Sequence, residues 1–162
     1  MAENAYRLLE NWETVPGTQP DGSLSTDAVR DWIDKVRASL KESGHLDIGL
    51  QKAGEVFLHT PPDPAGLFIH RAAADVLNRE DMAELRRGYA LAIFNSRGVH
   101  AVDPTGAPEK ELSANYKQKA DAVENAGYHR LAVTLRSISD GYLREAERNI
   151  AGHRAERETP DP

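Results

Sequence analysis

The residue types that do most of the chemistry at neutral pH are thinly spread in this chain. Six histidines, His45, His59, His70, His100, His129 and His153, occur singly. None stands four residues from another, and there is no His-Glu-x-x-His run, so no helix face offers a ready metal pair. A site assembled by tertiary contact would draw on His59, His70 and His100, which flank loop-forming segments. Serine chemistry has no Gly-x-Ser-x-Gly elbow to sit on. Ser96, near His100, falls where a helix is expected to end, a common place for local serine bonding. Glu109 and Glu111 open a predicted helix, where negative charge complements the backbone dipole. No glycine-rich phosphate loop is present. No catalytic residue, metal or cofactor is therefore expected.

Two segments carry the remaining interest. Phe94-Asn95-Ser96-Arg97-Gly98-Val99-His100 places an amide, a guanidinium and an imidazole around one chain reversal. Asn95, Arg97 and His100 suit a carboxylate, a phosphate or exposed carbonyls. Their structural alternative is to bond helix-end carbonyls and lock the following loop. The second segment runs from His59 to His70 and holds Pro61, Pro62, Pro64 and Gly66. A stiff loop there presents Leu67 and Phe68 either as a partner anchor or as a plug over one end of the core.

The elements that must position these residues read as helices. Val29, Trp32, Ile33, Val36 and Leu40 recur at three- and four-residue steps, predicting a helix over 26–43 capped from Ser25, Thr26 or Asp27. A short helix precedes it over 3–12, separated by the turn-rich Pro16-Gly17 and Pro20-Asp21-Gly22. Asp47 caps a helix over 48–58, which the prolines then end. Helices follow over 67–77 and over 79–96, the second capped by Asn78 and stopped at Gly98. Pro108 suits the first turn of the next helix, with Leu112, Tyr116, Ala120 and Val123 inward. The strongest periodicity, Leu131, Leu135, Ile138, Tyr142, Ala146 and Ile150, predicts a final helix over 128–151. Gly141 within it marks close packing or a bend. Period-two alternation is absent, with Val99–Val102 good for a few β-bridges at most.

Composition agrees with that reading. The 162 residues suit one domain, placed over 1–152 with a frayed charged tail over 153–162. Aromatics are only 6%, so the core must be largely aliphatic and alanine, which favours helix against helix. The expected fold class is all-α, a compact bundle of about six or seven helices in antiparallel hairpins. A net charge of −6 disfavours wholesale nucleic-acid binding. A local basic face of Arg79, Arg86 and Arg87 is the exception to weigh. The chain has no cysteine, which fits a reducing cytosol and excludes disulfides. No signal peptide and no membrane-length apolar run are visible.

Taken together, several stretches form a familiar line. They are Leu8, Trp12, Pro16-Gly17, Asp21-Gly22 and Trp32; Asp47-Ile48-Gly49; His59-Thr60-Pro61-Pro62-Asp63, Gly66 and His70-Arg71; and Asn95 to His100. These residues resemble a helical domain at the C-terminal end of large bacterial proteins. The resemblance covers residues 6–150, implies that the domain works beside others, and transfers no catalytic motif. The function expected is a non-catalytic protein-interaction or scaffolding module of a bacterial cytoplasmic protein, with a protein partner and no membrane. The first alternative is a small-ligand binder or enzyme built around His59, His70, Arg97 and His100. The second is a nucleic-acid-binding accessory domain.

Overall fold

The computed structural model describes residues 12–98 and 102–158, the last three as backbone only. The helix expected over 3–12 therefore lies outside the described residues, Trp12 excepted, as do Val99, His100 and Ala101. Among the described residues, six α-helices and one 3-10 turn follow in order: α1 Thr26–Glu42, α2 Leu46–Glu55, η1 Val56–His59, α3 Arg71–Asn78, α4 Ala83–Asn95, α5 Ala107–Asn125 and α6 His129–Glu158. The fold is an all-α bundle. Among the described residues there is no strand, only an isolated bridge between Thr18 and Leu24. No described helix is long and apolar enough to cross a membrane.

Helix α1 forms as its pattern demands. The Ser25 hydroxyl accepts the Ala28 N–H at 3.3 Å, while Val29 and Ile33 are buried. Trp32 meets Trp12 edge-on at 5.8 Å between ring centroids and Phe57 at 5.9 Å. Helix α2 starts before Asp47, which sits in its first turn rather than at its cap; His45 holds the cap position and makes no side-chain bond there. The helix then tightens into η1 instead of running on to residue 58. Helices α2 and α4 lie antiparallel at very close range. A Cβ added at Gly54 would run into the Leu85 carbonyl, and one at Gly88 into the Gln51 carbonyl, so both positions require glycine.

The proline-rich segment departs from expectation. Residues 67–70 are not helical, because Asp63 organises them as a loop. Its N–H donates to the Leu67 carbonyl at 2.9 Å, and its carboxylate accepts the Ala65 and Arg71 N–H groups at 2.8 and 2.9 Å. Helix α3 starts only at Arg71, with His70 as its cap. Asn78 does not cap α4, whose cap position is Met82. Its side-chain oxygen instead accepts the Arg130 N–H at 2.8 Å and the Leu131 N–H at 3.4 Å, covering the start of α6.

Helices α5 and α6 form a long antiparallel hairpin. Ala120, Val123, Leu131, Leu135, Ile138, Tyr142 and Ala146 fill its seam. Two buried serines also sit in it, Ser113 and Ser139, with their oxygens 2.9 Å apart and the Ser139 hydroxyl donating to the Ser113 carbonyl at 2.8 Å. The Phe94 ring closes over Gly141, where an added Cβ would lie 2.8 Å from the ring edge, so close packing is the role of that glycine. Helix α6 continues to Glu158, past the residue 151 at which it was expected to end.

Candidate functional site

The sequence-predicted residues divide into those the fold consumes and those it leaves at the surface. His70 is consumed: its Nδ1 accepts the Ala72 N–H at 3.2 Å and caps α3. Arg97 is consumed as well. It follows the end of α4, is 17% exposed, and donates to Glu109 on α5 and, at 3.2 Å, to Glu145 on α6. Glu109 is fully buried. Its place in the first turn of α5 satisfies the helix dipole, and the guanidinium supplies the countercharge that burial requires. Arg97 thus bonds carboxylates on two distant helices rather than helix-end carbonyls. The guanidinium also lies 5.9 Å from the Tyr142 ring centroid.

Leu67 and Phe68 are half-buried, not a free pair of anchors. Phe68 packs against the core with its ring under Lys119. The residue that shapes this loop is Asp63, which is 5% exposed and held by both arms of the Arg71 guanidinium at 2.9 and 3.1 Å. Hydrogen bonding to Arg71 holds the Asp63 carboxyl far below the usual carboxylate range, against the opposing cost of burial. The only sequence signal for it was an aspartate among prolines, a common loop composition.

His59 and Asn95 are brought together. They line one cleft of about 270 Å³ between η1 and the C-terminal end of α4, with Trp12, Val56, Leu58 and Ala92 as apolar walls. Both are exposed, and neither side chain hydrogen-bonds among the described residues, in contrast to His70 and Arg97. Glu55, also on the wall, is paired with Lys52 at 3.0 Å. Leu91, one turn before Asn95, is 47% exposed. His100 lies outside the described residues.

The basic face is not a free one. Arg79 pairs with Asp34 at 2.6 Å and Asp81 at 3.1 Å. Arg86 donates to the Leu77 and Arg79 carbonyls at 2.7 and 2.6 Å, closing the end of α3, and burial pulls its guanidinium down from its ordinary value. Arg87 lies 3.8 Å from Glu84. No group of three potential metal-ligating side chains occurs among the described residues.

A second, smaller cavity of about 180 Å³ lies on the other side of Leu58. Lys119 and Thr60 are on its wall, and neither was singled out in the sequence. Burial pulls the Lys119 amine down and pushes the neighbouring Tyr116 phenol up to about 12. The Tyr116–Lys119 spacing, three residues along a helix, was the one available signal. No family model, curated protein or solved structure matches the chain.

Proposed function

We propose that this domain is a non-catalytic protein-interaction module that receives a partner side chain in the cleft between η1 and α4. The observation that carries this reading is the pairing of His59 and Asn95. Two exposed polar side chains from distant parts of the chain, both without a hydrogen-bond partner among the described residues, line one concavity with largely apolar walls. Interface cores of this kind combine an apolar floor with a few polar groups that fix orientation. Leu91 extends the apolar surface along the same helix. The setting proposed is a bacterial cytoplasmic protein in which the domain acts beside others, in keeping with the resemblance drawn from the sequence.

The alternatives have less support. Catalysis at His59, His70 and Arg97 would require the last two to give up structural bonds. Nucleic-acid binding through Arg79, Arg86 and Arg87 would require breaking pairs already made.

Site-directed photocrosslinking in cells tests the proposal. With p-benzoylphenylalanine in place of Leu91, a discrete protein adduct is expected. The adduct should be lost on His59→Ala/Asn95→Ala substitution and absent when the crosslinker replaces exposed Ala114 on α5. Identical adducts from positions 91 and 114, or none from 91, would overturn it.

A further inference from the structure

The cavity beside Lys119 presents a combination that core packing alone does not require. The Lys119 Nζ lies 4.6 Å from the Tyr116 ring centroid and 5.0 Å from that of Phe68. Such stacking fixes a cation that would otherwise swing into solvent. The chain has 26 acidic residues, and Arg71, Arg79, Arg97, Arg130 and Arg136 all pair with carboxylates. Lys119, though half-buried, forms no ion pair among the described residues. Thr60 lines the same cavity, and its hydroxyl is buried without a hydrogen-bond partner among the described residues. Leaving such a group unpaired is costly, so a ligand acceptor would be rewarded there. Phe57, Ile69 and Ile93 supply apolar walls, and Tyr89 adds a second phenol-bearing ring beside Tyr116.

We infer that this cavity is a binding site for a single carboxylate carried on a small apolar or aromatic stem, with Lys119 as its countercharge and Thr60 as a hydrogen-bond donor. The inference is independent of the interaction cleft. One ammonium balances one negative charge; a phosphate dianion normally calls for a guanidinium fork or several N–H donors, which this lining lacks. The volume is close to that of a cavity that holds benzene, about 150 Å³. A free small acid and the C-terminal residue of a peptide share this chemistry.

The test is an amide-resolved NMR titration of the whole chain with sodium benzoate at constant ionic strength, with benzamide as the neutral counterpart. Benzoate is expected to give saturable shifts at the Thr60, Tyr89, Ile93 and Lys119 amides, with a Kd in the millimolar range expected of so small a ligand. Benzamide and the Lys119→Met variant should each bind about tenfold more weakly, and Thr60→Val a few-fold more weakly. Acetyl-Ala-Ala-Phe with a free or amidated C-terminus separates the sources. Binding of the free-acid peptide points to protein C-termini, and binding of benzoate alone points to free acids. Absence of saturation by about 20 mM benzoate, equal binding of benzamide, or an unchanged Kd in a folded Lys119→Met protein would overturn the assignment. If Lys119→Met does not fold, the benzamide comparison and Thr60→Val decide on their own.

Discussion

Asp63 and Arg97 show how two charged residues that look like surface chemistry in the sequence act as internal fasteners. Asp63 accepts bonds from two backbone N–H groups and the Arg71 side chain, which depresses its ionisation far below normal. A carboxyl with a lowered folded-state pKa stabilises fully above its unfolded value, about 3.9, and less as pH falls below it. Asp63→Asn should therefore lower Tm at pH 7, and the gap from the parent protein should narrow as the pH is taken from 5 toward 2. Melting curves across that range check it, and a gap independent of pH would show that the charge is not what matters. Arg97 works against a fully buried Glu109. Truncating one member of a buried pair strands the other charge, so Arg97→Ala should cost about 3–5 kcal/mol, read as loss of helical dichroism beginning at lower denaturant than in the parent protein. Arg97→Met/Glu109→Leu should recover most of that loss, since neither charge is then left buried alone. The sequence placed Arg97 at a chain reversal, which is where it lies. It offered no sign that carboxylates 12 and 48 residues further on would converge there.

At the scale of elements, what was legible is what depends on local periodicity. Val29 and Ile33 in α1, Leu85, Tyr89 and Ile93 in α4, and Leu131, Leu135 and Ile138 in α6 are buried as their spacing requires, because one stripe can face the core in only one way. Helix boundaries were less legible because competing partners decide them. The helix expected from Leu67 starts four residues later, since Asp63 takes the Leu67 carbonyl and the Arg71 N–H while the Pro61 carbonyl takes the His70 N–H. Asp47 and Asn78 both have the chemistry of caps, but which helix end a side chain reaches is a tertiary matter. Asn78 serves a helix 52 residues away. Gly54 and Gly88, the pair that lets α2 and α4 touch, gave no signal at all, because an isolated glycine in a helical pattern looks like a mere weakness. The capping assignment has a direct consequence. Asn78→Ala should cost about 1 kcal/mol, and amide exchange should quicken at Arg130 and Leu131 in α6 rather than at the start of α4. Faster exchange at Ala83 and Glu84 instead would return Asn78 to the role its local sequence suggested.

Across the whole molecule, the α1–α4 assembly and the α5–α6 hairpin share one apolar core, and specific devices tie them further: the Asn78 cap, the Phe94 ring on Gly141 and beside Tyr142, and the Arg97 bonds to α5 and α6. Both tryptophans lie on the first side of this junction, Trp12 against Trp32 and Trp32 against Phe57, whereas α5 and α6 carry tyrosines only. Tryptophan fluorescence therefore follows one side, whereas helical circular dichroism draws about equally on both, since α5 and α6 supply half of the helical residues. If the junction couples the two sides, both signals should report one denaturant transition in the parent protein. Arg97→Ala removes the polar link and leaves Glu109 uncompensated within the hairpin, so its destabilisation falls first on α5 and α6. About half of the dichroism change should then come at lower denaturant than the fluorescence transition, and the single midpoint should split. Midpoints that fall together by the same amount in Arg97→Ala would show that the shared apolar core, the Phe94–Gly141 contact and the Asn78 cap suffice to keep the molecule one cooperative unit. Gly141→Leu, which forces the Phe94 ring away, would then be the change that splits it.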